Sequence, residues 1–109
     1  MAETLLLLTS DDPKVLKKNG SSGDWTAKAS RAIGCDYVII CDLTTKAGVL
    51  AAIITGVMKA DDNRVVIHFK DAVEINEPNV WGRKSSNPVG YVNTANCGVD
   101  FSDLGLKPI

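Results

Sequence analysis

The residues best suited to chemistry gather in residues 80–92, VWGRKSSNPVGYV. Trp81, Arg83, Lys84, Asn87 and Tyr91 lie within eleven positions of one another there, in a run rich in Gly, Ser and Pro. Such a segment reads as a loop, and loops carry binding residues more often than strands do. An aromatic ring can stack on a nucleobase, worth roughly 1–3 kcal/mol per base, while an amide side chain reads a base edge. A guanidinium or ammonium beside it can hold a phosphate. Two other places extend the set. Trp25 follows the polar run Ser21, Ser22, Gly23, Asp24, and Thr9 with Ser10 closes the first apolar run. The candidate binding residues are therefore Thr9, Ser10, Trp25, Trp81, Arg83, Asn87 and Tyr91. Trp25 and Trp81 would stack, Arg83 would meet phosphate, and Asn87 and Ser10 would read polar edges. The same set suits any flat polar ligand. Tryptophan also packs well in a core, so a purely structural role for Trp25, Trp81 and Tyr91 competes with the binding role.

No catalytic signature accompanies these residues, and none is assigned as catalytic. Gly20, Gly23 and Gly34 are too scattered for a phosphate loop, and no GK[ST] follows them. There is no GxSxG elbow. His68 is the only histidine, and it sits in a strand pattern where an ordinary hydrogen-bonded or exposed role explains it. A Cys41–His68 pair is the remaining nucleophilic possibility, with nothing local in its favour. Asp61 and Asp62 suit a turn, and Asp11 and Asp12 suit a helix cap, so neither carboxylate pair needs a catalytic role. With one histidine and three scattered cysteines, no metal site or cofactor is expected.

The elements that would position these residues centre on residues 48–76, GVLAAIITGVMKADDNRVVIHFKDAVEIN. In its second half Val65, Ile67 and Phe69 alternate with Val66, His68 and Lys70, the period of a half-buried strand. The first half, residues 47–60, is apolar all round. A buried helix is one reading. Gly48, Gly56 and the β-branched Val49, Ile53, Ile54, Thr55 and Val57 favour a strand, and a short Asp/Asn turn makes the pair a β-hairpin. Gly56 in mid-strand marks a bulge or a close backbone approach. Before the hairpin, residues 4–9 form a strand whose continuous apolar run predicts burial on both faces. Asp12 caps, and Pro13 opens, a short basic helix over residues 13–19 with Gly20 as its left-handed stop. Asp24 is expected to cap a second helix over residues 25–33, in which Lys28 and Arg31 share a face. Residues 35–42 read as a strand and residues 89–93 as a last one. The tail offers Phe101, Leu104 and Leu106 for packing, as one helical turn capped by Ser102. This order predicts a small α+β domain: a five- or six-stranded curled sheet or pseudo-barrel with two short helices near the N-terminus.

At 109 residues the chain is expected to be a single domain, 1–109, with a real core. No apolar run reaches the roughly 18 residues of a membrane span. The early LLLL follows acidic Glu3 and is too short for a signal peptide, so no membrane partner is expected. Three cysteines without CxxC spacing fit reduced thiols and a cytoplasmic location. The net charge of -1 means that any nucleic-acid contact must rest on a local basic patch.

Several of these segments together resemble the PUA-like superfamily, in particular its EVE and ASCH domains. The likeness lies in LLLLTS, in Gly23-Asp24-Trp25, in IGCDYVIICD, and in the paired runs LAAIITGVMKA and RVVIHFKDAVEI, and it covers residues 5–75. The chain departs from the pattern where Cys35 separates Gly34 from Asp36, where the first strand lacks an early aromatic, and in its shorter length. The resemblance implies a pseudo-barrel with a cleft between helices and sheet that binds a modified base or RNA without catalysis. The expected function is thus a non-catalytic binding module for nucleic acid or a nucleobase-like small molecule. A protein–protein interaction domain, a homodimer anchored by exposed aromatics, is the first alternative. A small hydrolase or toxin-like enzyme using Cys41 or His68 is the second.

Overall fold

A computed structural model describes residues 3–61, 63–78, 80–81 and 88–106, with the side chain of residue 24 excepted. In chain order its elements are β1 (Glu3–Thr9), α1 (Pro13–Asn19), β2 (Ser21–Thr26), α2 (Ala29–Ala32), β3 (Tyr37–Asp42), β4 (Gly48–Asp61), β5 (Arg64–Glu77) and β6 (Val89–Asn93). A 3-10 turn, Thr94–Asn96, follows. The strands make one six-stranded sheet in the order β2-β5-β4-β3-β1-β6. β1 and β3 run parallel, and every other neighbouring pair is antiparallel. The sheet is open, with β2 and β6 at its edges, which fits the expected curled sheet of a small α+β domain with two short helices and not the closed pseudo-barrel.

The leucine run of β1 is buried on both faces. Leu5 and Leu7 belong to one core cluster and Leu6 and Leu8 to another, because successive strand residues point to opposite sides. The first cluster is shared with Leu16 of α1 and Ala32 of α2, so the helices cover that face. Trp81, Cys97, Phe101 and Leu106 belong to the second, so the C-terminal segment covers the other face. α1 forms as its end signals require. The Asp12 carboxylate accepts from the Lys14 N–H at 2.9 Å, Pro13 opens the helix, and Gly20 closes it at φ 68.

The β4–β5 hairpin forms as the glycines and β-branched residues of 47–60 favour, and the helical alternative does not occur. Its turn carries the local bond that Asp provides: Asp61 Oδ1 accepts from the Asn63 N–H at 3.0 Å. Register shifts interrupt the pairing at four points, one of them between Ile54 and Gly56. Each inserts an irregularity that bends the ribbon and raises its twist. Another falls between the pairs Ala51↔Val73 and Ile53↔Lys70, where Asp71 takes φ 55. Asp tolerates this left-handed backbone better than most residues, and a β-branched residue does not. Asp71→Val is therefore expected to lower the urea midpoint by the equivalent of about 1–3 kcal/mol, with Asp71→Gly within about 1 kcal/mol of the parent. Equal midpoints for the parent and the valine variant would contradict this backbone.

Residues 25–33 do not form the expected helix. Trp25 and Thr26 belong to β2, and α2 is a four-residue turn of helix with Lys28 at its N-cap, where no side chain caps it. The sheet outcompetes the local signal. Trp25 pairs with Val65 of β5, is 8% exposed, and donates its indole N–H to Ser22 Oγ at 3.0 Å. Burying a tryptophan outweighs the roughly 1 kcal/mol of a helix cap at residue 24. Opposite Val66, β2 has Gly23, where a Cβ would come within 2.7 Å of Val66 Cγ2. In the tail, Asp100 rather than Ser102 caps the turn, its Oδ1 accepting from the Ser102 and Asp103 N–H groups. The turn holds Phe101 flat against Tyr37, with ring centroids 3.8 Å apart.

Candidate functional site

The structure separates the two tryptophans. Trp25 lies in the core cluster under the helices and Trp81, 5% exposed, in the cluster on the opposite face of the sheet. They cannot wall one cleft, and neither ring offers a face to a ligand. Thr9 and Ser10 stand at the C-terminal end of β1, beside Asp42 at the end of β3. Thr9 Oγ1 accepts from the Asp11 N–H at 3.2 Å, and Ser10 is exposed. Next to them the Asp42 carboxylate accepts from the N–H groups of Thr45 and Thr44, which hold it below the usual carboxylate range. Two backbone bonds attach later chain to this end: Trp81 N–H to the Lys46 carbonyl, and Leu8 N–H to the Pro88 carbonyl. Arg83, Lys84 and Asn87 lie outside the described residues.

Tyr91 lies elsewhere. It is half-buried in β6, packed against the helix-side cluster, with the Arg31 guanidinium over its ring at 4.3 Å. Arg31 also makes a bidentate ion pair with Glu3, Nη2 donating to Oε2 at 2.7 Å and Nη1 to Oε1. The hydrogen bonds lower the Glu3 pKa and raise that of Arg31.

Tyr91 and Arg31 open onto a groove. Where β2 ends, Thr26 pairs with Arg64 at the start of β5, so α2 begins alongside the tip of the β4–β5 hairpin. Between them is a cavity of about 580 Å³, within the range of small-ligand sites. Its floor is apolar, with Ala27, Ala29 and Val65, and Lys28, Lys59, Asp61 and Arg64 stand around it. Lys28, Lys59 and Arg64 are exposed. Among the described residues the one ion pair is Arg31–Glu3, and around this cavity Lys28, Lys59 and Arg64 stand against a single described carboxylate, Asp61. A second cavity of about 240 Å³ shares Thr26, Ala27 and Lys28 with the first and runs on to Arg31, Val89 and Tyr91. Sequence reasoning singled out Lys28, Arg31 and Tyr91 but passed over Lys59 and Arg64. Their signal was a cation on either side of the hairpin turn, readable only once the hairpin is placed beside α2.

The other chemistry does not assemble. Cys41 pairs with Gly48, whereas His68 pairs with Gly56, eight residues further along β4 and so roughly 25 Å away along the strand. Cys41 is buried, and burial pushes its thiol up to about 12. Among the described residues no three His, Cys, Asp or Glu side chains gather in a way that could hold a metal ion, and no helix is long and apolar enough to cross a membrane. Comparison of the chain with models of known families, with curated proteins and with solved structures finds no match.

Proposed function

We propose that this protein is a non-catalytic binding module of PUA-like type that holds nucleic acid or a nucleobase-bearing ligand between α2 and the hairpin tip. The observation that carries this reading is the trio Lys28, Lys59 and Arg64 around an apolar-floored groove, outnumbering its one described carboxylate, Asp61, in a chain of net charge -1. Phosphate contacts supply the sequence-independent part of such binding, and an apolar floor suits a flat base. The homodimer reading rested on exposed aromatic anchors, and both tryptophans are inside the protomer.

The test is anisotropy of a fluorescein-labelled single-stranded decamer between 50 and 300 mM salt. Lys59→Gln combined with Arg64→Gln is expected to weaken binding and to reduce the slope of log K against log salt by about 1.4, since each phosphate contact contributes about 0.7. Lys17→Gln combined with Lys18→Gln, on the exposed side of α1, is expected to leave both unchanged. An unaltered slope in the hairpin variant, or no binding at 50 mM salt, would overturn the proposal.

A further inference from the structure

The groove is longer than its cationic end. Residues 26–28 line both cavities, so a ligand entering at the hairpin tip can continue along α2 to Tyr91. The two ends differ in chemistry. At the tip three cations stand against one described carboxylate, Asp61, and none of the three is in an ion pair among the described residues. At the other end Arg31 already gives two N–H donors to Glu3, so its charge is neutralised and a phosphate there would meet the Glu3 carboxylate. What Arg31 still offers is its plane, held by Glu3 at its edge and by the Tyr91 ring on one face. Its side chain is 44% exposed. A guanidinium plane is a stacking surface for an unpaired base.

Resting on the reading of the groove as a nucleic-acid site, we infer that its ligand is single-stranded and at least two nucleotides long. The phosphates lie against Lys28, Lys59 and Arg64, and a base one or more steps away stacks on the Arg31–Tyr91 pair. A duplex is excluded by the same chemistry, because its base faces are already stacked on one another. A mononucleotide reaches one end only.

The experiment is competition against the labelled decamer, as oligouridylate and as oligodeoxyuridylate, at 100 mM salt. The competitors are UMP, a ten-base-pair blunt DNA duplex and inorganic polyphosphate. Unlabelled decamer is expected to compete at least tenfold better than any of them. Whichever of the two decamers binds more tightly identifies the sugar preferred. Arg31→Lys keeps the charge beside Glu3 and loses the plane, so it is expected to weaken decamer binding about tenfold at an unchanged salt slope. Tyr91→Leu is expected to act in the same direction, and thermal melting establishes that each variant is folded. UMP, duplex or polyphosphate competing as well as the decamer would overturn the inference. So would folded Arg31→Lys and Tyr91→Leu variants binding like the parent. If the Lys59/Arg64 variant still loses affinity in those cases, the groove remains a nucleic-acid site and only the single-strand register fails. If no decamer binds the parent protein, both readings fail together.

Discussion

Trp81→Ala is expected to lower the unfolding free energy by about 3–5 kcal/mol, the range for removing a buried aromatic side chain. Trp81 is 5% exposed and shares a core cluster with Leu6, Ile39, Cys41 and Phe101. It is part of the C-terminal cover over one face of the sheet, and its N–H bonds the Lys46 carbonyl beside the end of β3. Deleting the indole leaves a cavity in the cluster that also holds the stacked Tyr37 and Phe101 rings. The groove is on the other face. The folded fraction of the variant is therefore expected to bind the decamer with the parent affinity. Urea denaturation and anisotropy on the same sample check both halves. A parent-like urea midpoint would mean that the ring is not packed, and a fully folded variant that no longer binds would return Trp81 to the binding surface.

The thiols are expected to make the fold sensitive to alkali. Burial pushes Cys41 up to about 12, and burial, then the Glu3 carboxylate, pushes Cys35 up to about 11. In the unfolded chain both ionise near 8.5. The folded state therefore holds protons that the unfolded state has lost. The stabilisation is fully present below about pH 8.5 and disappears as pH rises through the folded values. Between about pH 9.5 and 10 nearly two protons differ, so stability is expected to fall by about 2.5 kcal/mol per pH unit there and less steeply as Cys35 begins to ionise. Cys35→Ala combined with Cys41→Ala should flatten that slope in urea titrations, whatever it does to stability at pH 7. At pH 8 the thiolate fraction of Cys41 is about 10³-fold below that of a free thiol, and maleimide labelling of the native protein should slow accordingly. Rapid labelling of Cys41 would put the thiol within reach of solvent and restore the case for a nucleophilic enzyme.

What the amino-acid sequence determined on its own is what a few neighbouring residues decide. Four successive leucines left β1 no polar face, so it had to lie inside with cover on both sides. Asp12, Pro13 and Gly20 satisfy or remove the end groups of α1 within one turn of themselves. The Asp61 carboxylate bonds the backbone of its own turn, and alternation in β5 does the rest for the hairpin. Tertiary structure decided everything that depends on pairing across long sequence distances. The residue 24 signal for a helix was sound locally and lost to the pairing of β2 with β5, some forty residues later, because that pairing buries the Trp25 ring. The two tryptophans looked alike in sequence, each beside a polar loop, and the sheet put them on opposite faces. The groove is the clearest case. Lys28, Lys59 and Arg64 belong to three segments, and only the register Thr26↔Arg64, set by backbone hydrogen bonds at the sheet edge, brings them around one cavity.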